Sequence, residues 1–152
     1  MKIALKSIKI FVQIQLIFFF LFVLGCEKRS CEIEYNDKNY DKAIACYNEL
    51  LKNKLSDNRK FLVYKRLFMS YYLMEQWTEY AAKVNFLLTK EKGKAITYPL
   101  IKMFASHLFE KNRFSDAYNQ YQIVISRFSA ISSPEDLCLF QYRKALSLYN
   151  LN

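Results

Sequence analysis

The sequence predicts an all-α chain: a short α-solenoid of about three helical hairpins followed by a C-terminal capping helix. Three observations lead there. Glycine and proline number only 2 each, too few for the tight turns of a small β-sandwich. Aromatics make up 17% of the chain, spread too evenly for a disordered segment. A third pattern is internal: one stretch of sequence recurs twice with the same spacing. The 152 residues favour a single domain.

The first element is a leader. Lys2, Lys6 and Lys9 precede an apolar run from Ile10 to Leu24, broken only by Gln13 and Gln15, and no acid stands before Glu27. A basic head followed by a greasy segment reads as an export signal. The run ends in Val23-Leu24-Gly25-Cys26. This tetrad resembles the lipobox of bacterial lipoproteins, although valine stands where leucine is commoner. The resemblance implies residues 1–25 as a lipoprotein signal peptide and 26–152 as the mature domain. It also implies Cys26 as the lipidation site, carrying diacylglycerol and a further acyl chain such as palmitate. The lipid bilayer would then be a partner through the acylated N-terminus, since each buried methylene adds roughly 0.8 kcal/mol. The outer membrane is the commoner destination for that class, with the periplasmic or surface face left open. Without the resemblance, a plain cleaved signal peptide or an uncleaved amino-terminal anchor remains open. Removing the leader leaves roughly 125 residues, enough for one modest core.

Next comes a thin helix, about residues 29–36, and then the repeat. NYDKAIACYNELL from Asn39, QWTEYAAKVNFLL from Gln76 and RFSDAYNQYQIVI from Arg113 align without gaps at a step of 37. Their aromatic second residues are Tyr40, Trp77 and Phe114. Three residues on stand Ala43, Tyr80 and Ala117, and seven on stand Tyr47, Val84 and Tyr121. Such offsets follow the helical period, so each stretch predicts an amphipathic helix preceded by a turn. Apolar residues over Phe61–Met74 and Leu100–Phe109 predict a partner helix before the second and third. Polar joints at Asn53–Asn58 and Lys90–Lys94 have ordinary lengths for helix–helix connections. Ser133 and Pro134 then suit the N-cap and first position of a last helix over Leu137–Leu148, with Asp136 placed to close a capping box.

This layout resembles the tetratricopeptide repeat (TPR), a family of helix–turn–helix units of about 34 residues. The matching positions are Tyr40, Ala43 and Tyr47 in the first unit. In the second they are Tyr64, Leu67, Tyr71 and Trp77, and in the third Ile101, Phe104, Leu108, Phe114, Ala117 and Tyr121. The departures are the period of 37, the absent closing proline, and Tyr80 at a small-residue position, which predicts looser packing in unit two. An ordinary helical bundle remains the plain alternative. In the resembled family the first helices line a concave face that holds peptide segments. By position that implies a partner groove of Lys65, Met69, Tyr72, Lys102, Ser106 and Phe109, with Glu32 and Tyr35 adding to it. Aromatic and methionine side chains beside basic ones suit a partner segment of some acidic character.

The four cysteines add one expectation. With Cys26 lipidated, Cys31 and Cys46 lie on neighbouring helices and are the candidates for a disulfide. Cys138 falls in an apolar helical stretch and is expected in the core. No metal site is expected, because the spacing is wrong and His107 is the only histidine. His107 itself, beside Phe104 and Leu108, reads as a satisfied residue at the edge of the core.

The sequence therefore points to a non-catalytic, membrane-anchored protein–protein interaction scaffold of the bacterial cell envelope. Its partner would be an envelope protein or peptide segment. The alternative is a structural or surface-exposed lipoprotein without a dedicated groove. No catalytic residues stand out, because no nucleophile–base pair or carboxylate motif is visible. No cofactor or small-molecule substrate is predicted, and two glycines cannot build a phosphate loop. The formal charge of +9 would suit nucleic acid, but export opposes that, and the basic residues are interleaved with acidic ones.

Overall fold

A computed structural model describes residues 31–90 and 95–151. The leader, Cys26, the first residues of the predicted opening helix and the joint residues 91–94 with Gly93 lie outside the described residues. Among the described residues there are seven helices and no strand. They are α1 (31–36), α2 (Tyr40–Leu50), α3 (Asp57–Leu73), α4 (Trp77–Lys90), α5 (Thr97–Glu110), α6 (Phe114–Phe128) and α7 (Pro134–Tyr149). None of the described helices is long and apolar enough to cross a membrane.

The helices α2, α4 and α6 open on Tyr40, Trp77 and Phe114, the three aromatic landmarks. Each is entered through the same turn. Lys38, Glu75 and Asn112 hold positive φ angles of 62°, 55° and 57°. The next residue's N–H then donates back across the turn: Asn39 to the Glu34 carbonyl at 2.8 Å, Gln76 to Tyr71 at 2.9 Å, and Arg113 to Leu108 at 2.9 Å. This left-handed closure satisfies carbonyls that the end of a helix would otherwise leave unpaired. Three copies at one spacing make the 37-residue period a property of the backbone as well as of the sequence.

Two partner helices start earlier than the apolar pattern predicts. Ser56 has extended φ and ψ of −64° and 155°, and α3 begins at Asp57, inside the predicted polar joint. Asp57 sits in the first turn, where a negative charge is favoured by the helix dipole. Helix α5 begins at Thr97 and absorbs Pro99 in its first turn, where no intrahelical N–H is needed. At α7 the Ser133 side chain accepts from the Asp136 N–H at 3.1 Å. The Asp136 carboxylate does not close the capping box. It accepts instead from Lys102 Nζ at 2.6 Å and Tyr98 Oη at 3.0 Å on α5.

The core is a row of fully enclosed aromatics: Tyr47, Phe68, Tyr80, Tyr121 and Phe140. In α2 and α6 a buried alanine precedes the tyrosine by one turn, Ala43 before Tyr47 and Ala117 before Tyr121. In α4 the order of sizes is reversed: Tyr80 comes first and Val84 follows. The bulk is thus kept but displaced by a turn, so the Tyr80 ring wedges between α3 and α5. It lies 4.6 Å from Phe68 and 4.4 Å from Phe104, centre to centre. Helix α4 accordingly meets α3 and α5 over less of its length than α2 meets α3 or α6 meets α5. The hydroxyls of the three enclosed repeat tyrosines each find a partner, as a phenol taken out of water must. Tyr47 donates to Glu32 at 3.1 Å, Tyr80 pairs with His107 Nδ1 at 3.0 Å, and Tyr121 accepts from Arg143 at 3.2 Å.

Helix α1 is tied to α2 through Cys31 and Cys46, whose Cα atoms stand 5.4 Å apart across a disulfide. Cys138 corrects an expectation. It is free and exposed, because α7 turns Phe140 and Ser147 inward and so points position 138 away from the core.

Candidate functional site

A cleft of about 470 Å³ opens between α1, α2 and α3. Its walls are apolar at Leu50, Leu62 and Met69, and its charge comes from Arg59, Lys65 and Arg66 set against Glu32. On α3, Arg59, Leu62, Arg66 and Met69 follow one another at steps of three and four, which puts them on one helical face. Glu32 on α1 is shared: it pairs with Arg66 Nε at 3.3 Å and accepts the Tyr47 phenol at 3.1 Å. The Arg66 guanidinium also lies 4.5 Å from the centre of the Tyr35 ring. Burial, reinforced by the Glu32 carboxylate, pushes the Tyr47 phenol well above its ordinary range, so it remains a neutral donor.

With Arg66 committed to Glu32, the cleft retains the positive charge of Arg59 and Lys65. Lys65 is exposed, while Arg59 is half-buried and its Nε is enclosed without a hydrogen-bond partner. Arg59 and Lys65 are thus the charges left to attract an arriving carboxylate.

The six groove residues named from the sequence fall in three places. Lys65 and Met69 line this cleft, together with Glu32 and Tyr35. Tyr72 is half-buried between elements, its ring 4.1 Å from His107 and 6.1 Å from Trp77, with Lys111 Nζ 5.2 Å from its centre. Lys102, Ser106 and Phe109 face α7: Lys102 pairs with Asp136 at 2.6 Å, Ser106 accepts from Arg143 at 3.1 Å, and Phe109 lies under the same arginine at 5.3 Å. The last helix thus occupies the part of α5 that the sequence left open to a partner.

No family model, curated protein or solved structure matches the chain. The chemistry of the site therefore rests on its own geometry. Among the described residues, no three of His, Cys, Asp and Glu gather closely enough to hold a metal. His107 is buried and neutral, because burial holds its imidazole down at about 4. The sequence reading missed Arg59 and Arg66. Their signal was the basic–apolar alternation at steps of three and four on α3, which only a facing α1 turns into a cleft.

Proposed function

We propose that this chain is a membrane-anchored, non-catalytic interaction scaffold of the bacterial cell envelope, built as a short TPR-like array and capped by α7. The array reading is supported by the identical left-handed turns at Lys38, Glu75 and Asn112. The observation that carries the binding role is the cleft at α1–α3. It combines three cations, one carboxylate and apolar walls at Leu62 and Met69. That composition suits a partner segment with an acidic side chain flanked by apolar ones, its charge steering the encounter and its apolar atoms sustaining it. The anchoring part rests on the lipobox-like tetrad ending in Cys26.

The test has two arms. Metabolic labelling with a fatty-acid analogue marks the wild type and not Cys26→Ser. A fluorescent peptide with glutamate between leucines binds the full chain in detergent micelles, and Arg59→Glu with Lys65→Glu abolishes that binding. The affinity falls as salt rises, because surface attraction between charges is screened. Unlabelled wild type removes the anchor. Binding that ignores both the charge reversal and the salt removes the groove. The engagement of Lys102, Ser106 and Phe109 by α7 favours the second reading, a structural lipoprotein without a groove, to which the latter result would lead.

A further inference from the structure

A second cleft, of about 710 Å³, lies on the other side of the molecule's helix order, between α4 and α6. It exists because α4 and α6 do not pack closely: both lean on α5, and Tyr80 props α4 outward. The floor is Phe104 and Leu108 of α5. The α4 wall is built from Ala81 and Ala82, whose small side chains let another backbone approach closely. Asn85 and Asn119 stand on opposite walls.

The feature that marks this cleft is Gln120. It lines the cleft, is only 7% exposed, and its Nε2 has no hydrogen-bond partner. A buried amide donor left unpaired is costly, and native proteins seldom retain one without a use. The missing partner is an acceptor. The charges of the lining select which kind: Glu75, Glu79 and Asp116 outnumber Arg113. Glu75 is held by Lys111 at 2.7 Å and Asp116 by Arg113 at 2.6 Å, while Glu79 stands exposed. A carboxylate would be repelled from such a rim, whereas a neutral peptide carbonyl would not, and a neighbouring cationic side chain would be attracted.

We propose that the α4–α6 cleft binds an extended peptide segment bearing lysine or arginine, the Gln120 side chain turning outward on binding so that Nε2 donates to a backbone carbonyl of that segment. The asparagines on the two walls offer further amide groups to its backbone, and Glu79 takes the cationic side chain. This site is opposite in charge to the α1–α3 cleft and does not depend on it.

The probe is a degenerate pool of end-blocked heptapeptides with lysine fixed at the centre, set against the same pool with glutamate there. Each is titrated into the full chain in detergent micelles. Binding is read from Trp77 fluorescence, since Trp77 lines the cleft and is the single tryptophan. The side-chain amide resonances of Gln120 provide a second readout. The lysine pool should shift both signals saturably and the glutamate pool neither. Gln120→Leu, which keeps the volume and removes the donor, should bind the lysine pool roughly tenfold more weakly. Ala82→Phe, which fills the cleft, should abolish binding. The proposal is overturned if the lysine pool shifts neither signal, if Gln120→Leu binds as tightly as the wild type, or if the glutamate pool binds as well. The acidic-segment reading is tested through Arg59 and Lys65, which this experiment leaves unchanged, so either site can fail alone.

Discussion

Lowering the pH from 8 to 5 should destabilise this protein through one residue, His107. The residue is 7% exposed, its Nδ1 is 3.0 Å from the Tyr80 hydroxyl, and the Tyr72 ring lies tilted against it, 4.1 Å away centre to centre. A charged imidazolium there would lose its water without gaining a carboxylate, so burial brings the folded value from 6.5 to about 4. The sign follows directly. Between those two values the unfolded chain binds a proton that the folded chain refuses. The stabilising contribution is therefore complete above the unfolded value and is lost as pH falls toward the folded one. The shift amounts to about 3 kcal/mol in full, of which about 2 kcal/mol is lost by pH 5. Urea unfolding of the full chain in micelles, followed by Trp77 fluorescence at half-unit steps, measures it. Glu75 and Asp136 also have lowered values, held down chiefly by hydrogen bonds from Lys111 and Lys102. Their contributions disappear only at lower pH, which leaves the window from 5 to 7 to His107. The control is His107→Gln, which does not titrate and can still accept from Tyr80; its stability should be flat across that window. A wild type equally stable at both ends, or an imidazole carbon resonance titrating near 6.5, would refute the reasoning.

Three other perturbations test the packing. Cys46→Ser opens a loop of sequence separation 15 and should lower stability by about 3 kcal/mol, with faster amide exchange concentrated in α1 and the start of α2. Equal exchange in both forms would show that Glu32 and Arg66 hold α1 without the sulfur bridge. Lys38→Gly relieves a left-handed lysine and should raise the urea midpoint by the equivalent of about 1 kcal/mol, with an unchanged m-value. Gln120→Leu removes a buried unpaired amide and should also stabilise the free protein, by about 1 kcal/mol, although it weakens peptide binding. A loss of stability there would mean that the amide already has a partner.

The repeat was legible because its cause is local. Apolar residues at helical spacing place Ala43, Tyr47, Ala117 and Tyr121 on one stripe each, and burial of that stripe is what makes the helices stable. Helix starts at Tyr40, Trp77 and Phe114 were readable for the same reason, as was the Ser133 cap. The starts of α3 and α5 were not. Ser56 and Asp57 look like joint residues, and Pro99 looks like a break until its place in the first turn is known.

The sequence by itself determined that this chain is helical, where its turns recur and which side of each repeated helix is greasy, because those properties depend on neighbours three and four residues away. Only the tertiary structure decided what each face meets. Tyr80 was identifiable as an oversized residue, but its pairing with His107 spans 27 positions. Lys102 looked like a groove residue until Asp136, 34 positions on, closed over it. Cys138 reads as apolar, yet the choice of Phe140 as the inward residue turned it out to solvent. Both clefts arise in the same way, from side chains brought together by different helices. Contacts of that kind are fixed by how bulky residues fit between helices, and a linear pattern does not encode that fit.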